Sequence, residues 1–212
     1  MKDVKQLIAQ RAALELPKHS VINLGIGIPT LIADIIDERD YVLHTENGLL
    51  GVTKVNNQQI DLEIVNAGKI PVGEAAGAAY FSSADSFAMI RGGHVDIAVL
   101  GALQIDETGV MANWAIPGKD ILGVGGAMDL LEGAKTIIAT TTHTSANGDA
   151  KFVKKCTYPI TSKRIVDTIV TDLAVFKWRD TIYELVDLVG TATLEEVQQR
   201  TEANYIISPN LL

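Results

Sequence analysis

Glu46 stands just before Asn47-Gly48 and just after the run Tyr41-Val42-Leu43-His44-Thr45. Asn and Gly both tolerate positive φ, so the pair marks a turn, and Tyr41 to Thr45 reads as a short buried strand. A carboxylate at the carboxyl end of a strand lies where open α/β sheets place their ligands. Leu49 and Leu50 offer an apolar wall to strip water from it. A Glu held ionised beside an electrophilic carbonyl can act as a covalent nucleophile when donors await the developing oxyanion. The plain alternative is a solvated turn carboxylate with no chemistry.

Other chemistries have weaker support. Gly25-Ile26-Gly27-Ile28-Pro29-Thr30 departs from the dinucleotide fingerprint, because Thr30 stands where the third Gly or Ala belongs. Gly123-Val124-Gly125-Gly126-Ala127-Met128 does not match it either, and no Walker A sequence occurs. Gly125-Gly126 still allows close backbone approach to a ligand, with N–H groups at a helix start as a possible oxyanion site beside the ordinary turn role. His19, His44, His94 and His143 are scattered without metal-ligand spacing, so no metal site is expected. No G-x-S-x-G elbow is present. Cys156 follows Lys154-Lys155, which would lower its pKa if they neighbour the thiol, against the simpler reading of a structural cysteine.

The elements that must position Glu46 alternate. Val4 to Leu16 is an amphipathic helix ending before Pro17, and Val21 to Leu24 is a strand. Pro29 opens a helix expected over Thr30 to Ile36. Residues 52–63 read as polar surface, and Ile64 to Gly68 as a strand ending on glycine. Ser82 to Arg91 is a capped helix stopped by Gly92-Gly93, and Val95 to Leu100 is an apolar, β-rich buried strand. Asn113 to Lys119 is a loop or hairpin, and Gly123 to Leu131 a glycine turn opening a short helix. Strands are expected at Thr136 to Thr142, Ile169 to Thr171, Ala174 to Trp178 and Ile182 to Val189. Thr193 and Glu196 form a capping box at the start of the last helix. The apolar tail from Tyr205 to Leu212 suggests docking onto a partner. This alternation predicts an α/β fold: an open, mostly parallel sheet with flanking helices and a mixed extension.

The chain has 212 residues, 47% of them hydrophobic, and reads as a single domain over residues 1–212. With only 21% charged residues and a mean hydropathy of +0.20, it is apolar enough to expect a buried subunit interface. A net charge of −8 without a basic cluster argues against nucleic acid. One cysteine suits a reducing cytoplasm. The first residues lack a signal-peptide layout, and no membrane span is expected.

Taken together, several segments resemble the beta subunit of family I CoA-transferases, the 3-oxoacid and acetate/butyrate–acetoacetate group. They are residues 23–30, Glu46-Asn47-Gly48-Leu49-Leu50-Gly51, Asn66-Ala67-Gly68, residues 85–96, Leu100-Gly101-Ala102-Leu103-Gln104, residues 112–119, Gly125-Gly126-Ala127-Met128-Asp129-Leu130 and Asp172-Leu173-Ala174-Val175-Phe176. The resemblance implies that Glu46 is the nucleophile of a ping-pong reaction through a glutamyl-CoA thioester. It implies that Gly125 or Gly126 donates an N–H to the oxyanion, and that Asn47, Gly48 and Asn113 shape the turn or the substrate pocket. Coenzyme A is then a substrate and no cofactor is needed. An alpha-type partner, in an α2β2 heterotetramer, is expected to supply most of the CoA contacts. Thr45 replaces a common Ser, and Gly73-Glu74-Ala75-Ala76-Gly77 lacks a common Leu-Pro, so a different loop and altered acid preference are expected there. An acyl-CoA hydrolase on the same scaffold and a non-catalytic acyl-CoA-binding or assembly subunit are the alternatives.

Overall fold

The computed structural model describes residues 3–55, 60–66, 68–119, 121 and 123–211. In chain order, α1 (Val4–Ala13), β1 (Val21–Leu24), β2 (Val42–Thr45), β3 (Leu49–Thr53) and β4 (Gly73–Tyr80) lead to α2 (Ser83–Arg91) and β5 (Ile97–Gly101). β6 (Gln104–Asp106) and β7 (Met111–Ala112) precede α3 (Ala127–Gly133) and β8 (Thr136–Thr140). β9 (Phe152–Val153), β10 (Thr168–Val170), β11 (Ala174–Arg179), β12 (Ile182–Leu188), α4 (Leu194–Arg200) and β13 (Tyr205–Ile207) follow.

Among the described residues the strands form a ten-stranded sheet, ordered β13-β12-β11-β10-β8-β5-β1-β2-β3-β4, and a small sheet, β7-β6-β9. The run β10-β8-β5-β1-β2 is parallel, while β3, β4 and β11 run against their neighbours. This is the expected parallel sheet with a mixed extension. Parallel strands are buried on both faces, which explains continuous apolar runs such as Ile97-Ala98-Val99-Leu100. Alternate residues feed opposite cores. Ile97 and Val99 join Ile8, Ile22 and Ile138 on the α1 face. Ala98 and Leu100 join Ile90, Leu130 and Val197 from α2, α3 and α4 on the other.

Local chemistry sets the helix ends. The Ser82 side chain accepts from Asp85 N–H at the start of α2, and both bonds of the Thr193–Glu196 capping box are present on α4. Three expectations are corrected, and the apolar tail is found packed in part on its own chain. The segment after Pro29 is a 3₁₀-helix, Pro29–Asp34, because so short a run tightens to i→i+3 bonds rather than propagating as α. Ile64 to Gly68 is no strand. Val65 makes an isolated bridge to Pro71, and Asn66 Oδ1 takes the N–H groups of Gly68 and Ile70 that a ladder would have used. Ala67 of that segment, and residues 56–59 of the expected polar stretch, lie outside the described residues. Residues 73–77 are not a loop but part of β4, paired with β3. The apolar tail docks on its own chain: β13 pairs in parallel with β12, and the Tyr205 ring meets Phe176 edge-on at 5.1 Å.

β1 is the central element. Chain connections lead from it to β2 on one side and later to β5 on the other, so the strand order reverses beside it and opens a crevice at the carboxyl ends. Ile22, fully buried in β1, anchors that reversal. Ile22→Ala is expected to lower unfolding stability by about 2–5 kcal/mol, read as a shifted urea midpoint at unchanged slope.

Candidate active site

The crevice at the carboxyl ends of β1, β2 and β5 has a volume of about 590 Å³. Gly25 and Ile26 follow β1, Glu46 and Asn47 follow β2, and Leu100 and Gly101 end β5. Gly125 and Gly126 close it at the start of α3, and Phe87 reaches in from α2.

Glu46 sits in the connection of the β2–β3 hairpin, closed by a Gly48 N–H to Thr45 carbonyl bond of 3.1 Å. The Thr45 hydroxyl also accepts from Leu49 N–H at 3.2 Å, so Thr45 does the clamping that a serine could do. Gly48 has φ of 113°, and a Cβ there would lie 2.0 Å from the Phe81 carbonyl oxygen. Only glycine fits both the conformation and the approach. Asn47 donates from Nδ2 to the Val65 carbonyl at 3.0 Å, tying the following loop to this turn. Asn47 therefore frames the mouth of the crevice, whereas Gly48 contributes through backbone alone.

Leu49 and Leu50 do not form the expected wall, and neither lines the crevice among the described residues. Pairing Leu49 with Thr45 across the hairpin turns Leu49 into the α1-side core, where it is buried with Leu43 and Val52. The apolar lining comes from Ile26, Phe87, Leu100, Val124 and Leu130 instead.

The two glycines differ. Gly125 has φ of 58° and nothing within 4 Å of a built Cβ. Gly126 has an ordinary φ of −82°, yet its Cβ would fall 2.6 Å from Glu46 Oε2 and 3.3 Å from the Phe87 ring. Gly126 is thus the residue whose missing side chain makes room for the carboxylate. Asn113 lines the same crevice, and its Oδ1 accepts from the Thr161 hydroxyl at 2.8 Å. That bond leaves the Asn113 Nδ2 hydrogens without a partner among the described residues.

Burial, and secondarily the charge of Asp129, raise the Glu46 pKa above its ordinary value. Asp129 is itself paired with Arg91 at 2.6 Å. Among the described residues no group donates a hydrogen bond to the Glu46 carboxylate. Such a group is weakly solvated and unpaired, which makes it a reactive anion when ionised. Phe87, Asp129 and the loop residues Asn66 and Lys69 were not singled out by sequence reasoning. Phe87, Asp129 and Asn66 fall within segments that carry the family resemblance, which implies no role for them, and Lys69 has no local signal. Cys156 is remote from this chemistry: its pKa is pushed up to about 12, chiefly by burial and then by Asp106, so the neighbouring lysines do not activate it. Among the described residues no group of three or more His, Cys, Asp or Glu side chains converges as a metal site.

The chain belongs to the coenzyme A transferase family, whose model matches residues 5–197. It is 44% identical over 214 residues to one subunit of the probable succinyl-CoA:3-ketoacid coenzyme A transferase of Bacillus subtilis, spanning 100% of this chain and 99% of that one. It is 44% identical over 210 residues to the beta subunit of the acetate CoA-transferase of Escherichia coli K12, spanning 99% and 96%. A mouse mitochondrial succinyl-CoA:3-ketoacid coenzyme A transferase (form 2B) is 42% identical over 208 residues, which cover 96% of this chain but 40% of the mouse protein. In fold, an acyl-CoA transferase from Escherichia coli O157:H7 superposes with a TM-score of 0.80 at 24% identity, covering 99% of this chain and 42% of that one. A decarboxylase, AibA/AibB, superposes with a TM-score of 0.69 at 19% identity, covering 99% and 88%.

Two outcomes follow from the geometry around Glu46. Gly126→Ala should displace the carboxylate and reduce turnover by about 100-fold or more in a steady-state assay, while Gly125→Ala, strained but unobstructed, should lose less. Because burial raises the Glu46 pKa in the folded state, the ionised carboxylate opposes folding at pH above that value, and the penalty fades as pH falls and both states become protonated. Glu46→Gln is therefore expected to raise the melting temperature at pH 7 and to lose that gain near pH 3.

Proposed function

We propose that this chain is the beta half of a CoA-transferase that moves CoA between a short-chain acyl-CoA or 3-oxoacyl-CoA and a free carboxylic acid. The observation that carries the reading is the unpaired, half-buried Glu46 carboxylate lodged against Gly126 in the crevice at the strand ends. The family membership and the full-length match to the Bacillus and Escherichia transferase subunits support the class of reaction.

In the proposed reaction one Glu46 oxygen attacks the thioester carbonyl carbon. The resulting oxyanion is stabilised by donors at the crevice, for which Asn113 Nδ2 and an N–H of the Gly125-Gly126 segment are the candidates. Collapse breaks the C–S bond, giving an acyl-glutamyl anhydride and CoA thiolate. The thiolate attacks the glutamyl carbonyl and expels the first acid as its carboxylate, leaving a glutamyl-CoA thioester. An acceptor carboxylate then attacks that thioester, and the same steps run in reverse to release the new acyl-CoA. No proton or electron is gained or lost across the cycle, so the chemistry requires no metal or prosthetic group. The apolar lining from Phe87, Leu100 and Leu130 serves this by keeping water from the anhydride and thioester. An alpha-type subunit, such as the relatives' subunit naming implies, would complete the CoA contacts, as two copies of each chain.

The test is intact mass spectrometry of this chain with its alpha-type partner, incubated with acetoacetyl-CoA and no acceptor acid. A gain of one CoA less one water, mapped to Glu46 and absent in Glu46→Gln, is the expected result. Release of free CoA without acceptor acid would indicate hydrolysis instead. A complex that binds acyl-CoA yet never forms the adduct would favour a non-catalytic role in binding.

A further inference from the structure

Below Glu46, and not among the residues that line the crevice, lie three buried polar side chains that the proposed reaction does not touch. Asn23 on β1, His44 on β2 and Ser86 on α2 are 1%, 3% and 0% exposed. Polar groups this deep destabilise a fold unless they are hydrogen-bonded, and these three form a file in which Asn23 Oδ1 is left without a partner among the described residues. Asn23 Nδ2 lies 3.1 Å from His44 Nδ1 and 3.3 Å from the His44 carbonyl oxygen. A carbonyl oxygen can only accept, so the Asn23 atom facing it is the NH₂ nitrogen, and His44 Nδ1 is an acceptor as well. The proton of the neutral imidazole is then on Nε2, which faces Ser86 Oγ at 3.0 Å. Ser86 accepts there and donates its own hydrogen to the Thr45 carbonyl at 3.2 Å. The same carbonyl takes the Gly48 N–H at 3.1 Å, the bond that closes the Glu46 turn.

The direction of donation is therefore fixed from β1, through the ring and the hydroxyl, to the peptide that carries Glu46. We propose that Asn23, His44 and Ser86 are positioning residues that orient the Thr45–Glu46 peptide and so aim the Glu46 carboxylate at Gly126. The inference rests on the reading of Glu46 as nucleophile. A turn peptide with one closing bond can rotate, whereas a carbonyl held from two directions cannot without breaking one of them. Ser86 is followed by Phe87, which lines the crevice and touches the space beside Gly126. One turn of α2 thus sets both the backbone behind the carboxylate and the wall in front of it. Burial lowers the His44 pKa to about 4, so the ring stays neutral and the order of donors persists through the physiological range. The ring also stacks on Phe81, 6.1 Å between centroids at 14°, which fixes its plane.

The experiment compares wild type, Ser86→Ala, His44→Leu and His44→Gln, each assembled with the alpha-type partner, by steady-state kinetics and by the rate of CoA adduct formation. Misaiming a nucleophile by a fraction of an ångström reduces the chemical step, so Ser86→Ala and His44→Leu should lose about 10–100-fold in kcat and in adduct rate. Their KM for acyl-CoA should stay within about twofold, because the crevice contacts are untouched. The Gln carboxamide can accept from Asn23 and donate to Ser86 at once, so His44→Gln should recover most of the lost kcat. A purely structural role would lower the melting temperature of the variants without this kcat-only loss and without rescue by Gln. Near wild-type kcat in Ser86→Ala, or a His44→Gln as slow as His44→Leu, would overturn the proposal. If His44→Leu fails to assemble, Ser86→Ala decides alone. Failure of wild type to form the adduct would instead overturn the nucleophile reading itself.

Discussion

Holding a carboxylate out of water without a partner is the constraint on which this structure turns. Glu46 is half-buried, faces the charge of Asp129, and receives no hydrogen bond among the described residues. Each of these raises its energy as an anion. A chain free to move would let such a group swing into solvent, so the surroundings must prevent it. The hairpin closes under Glu46, Gly126 leaves no room for a side chain in front of it, and Phe87 covers its flank. The rest of the sheet supplies the rigidity behind those contacts, with apolar cores on both faces of β5 and on the α1 face of β1.

The elements around Glu46 each serve two purposes. Gly48 permits the turn and also lets the Phe81 backbone approach, which brings β4 and the start of α2 against the hairpin. Asn47 stays outside the turn's own bonds and instead ties in Val65. The Arg91–Asp129 pair joins α2 to α3 across the crevice wall, with the Arg91 guanidinium 5.6 Å from the Phe87 ring centroid. An exposed pair of this kind adds little stability. Its consequence here is positional, since it holds Asp129, whose charge raises the Glu46 pKa, on the wall that α2 and α3 share.

What the sequence reveals is mostly what is encoded within a few residues. The Asn47-Gly48 turn, the caps at Ser82 and Thr193, and the buried run before Gly101 are local signals, and each is found where expected. The misreadings turn on which backbone or side-chain partner a segment takes, and the residue pattern does not state that. Residues 73–80 have too many Gly and Ala to look like a strand, and become one because β3 offers them a ladder. Leu49 looks like a wall for its neighbour Glu46 until strand pairing sends it to the opposite core. The choice between Gly125 and Gly126 depends on a contact with Glu46 made across the fold, and no spacing rule contains it. The same holds for His44 and Ser86: a lone histidine and a helix serine acquire meaning only when the fold sets the imidazole on the hydroxyl and the hydroxyl on the Thr45 carbonyl.

The fold by itself does not decide the chemistry. A decarboxylase shares this architecture with a TM-score of 0.69, and an acyl-CoA transferase shares it with 0.80. Both superpose on nearly the whole chain, so the fold is shared by proteins named for different reactions. What differs between reactions built on a common crevice must lie in the few side chains that project into it. Here the carboxylate is placed on a hairpin tip rather than on a strand or helix, which lets the backbone on both sides be clamped while the side chain remains unpaired. A nucleophile that must accept a covalent acyl group and then surrender it needs that combination: a fixed point of attachment and an uncommitted oxygen. The polar file reaches the Thr45 carbonyl and not the Glu46 carboxylate, so in the proposed reaction the anchoring falls on Thr45 and the carboxylate oxygens stay available.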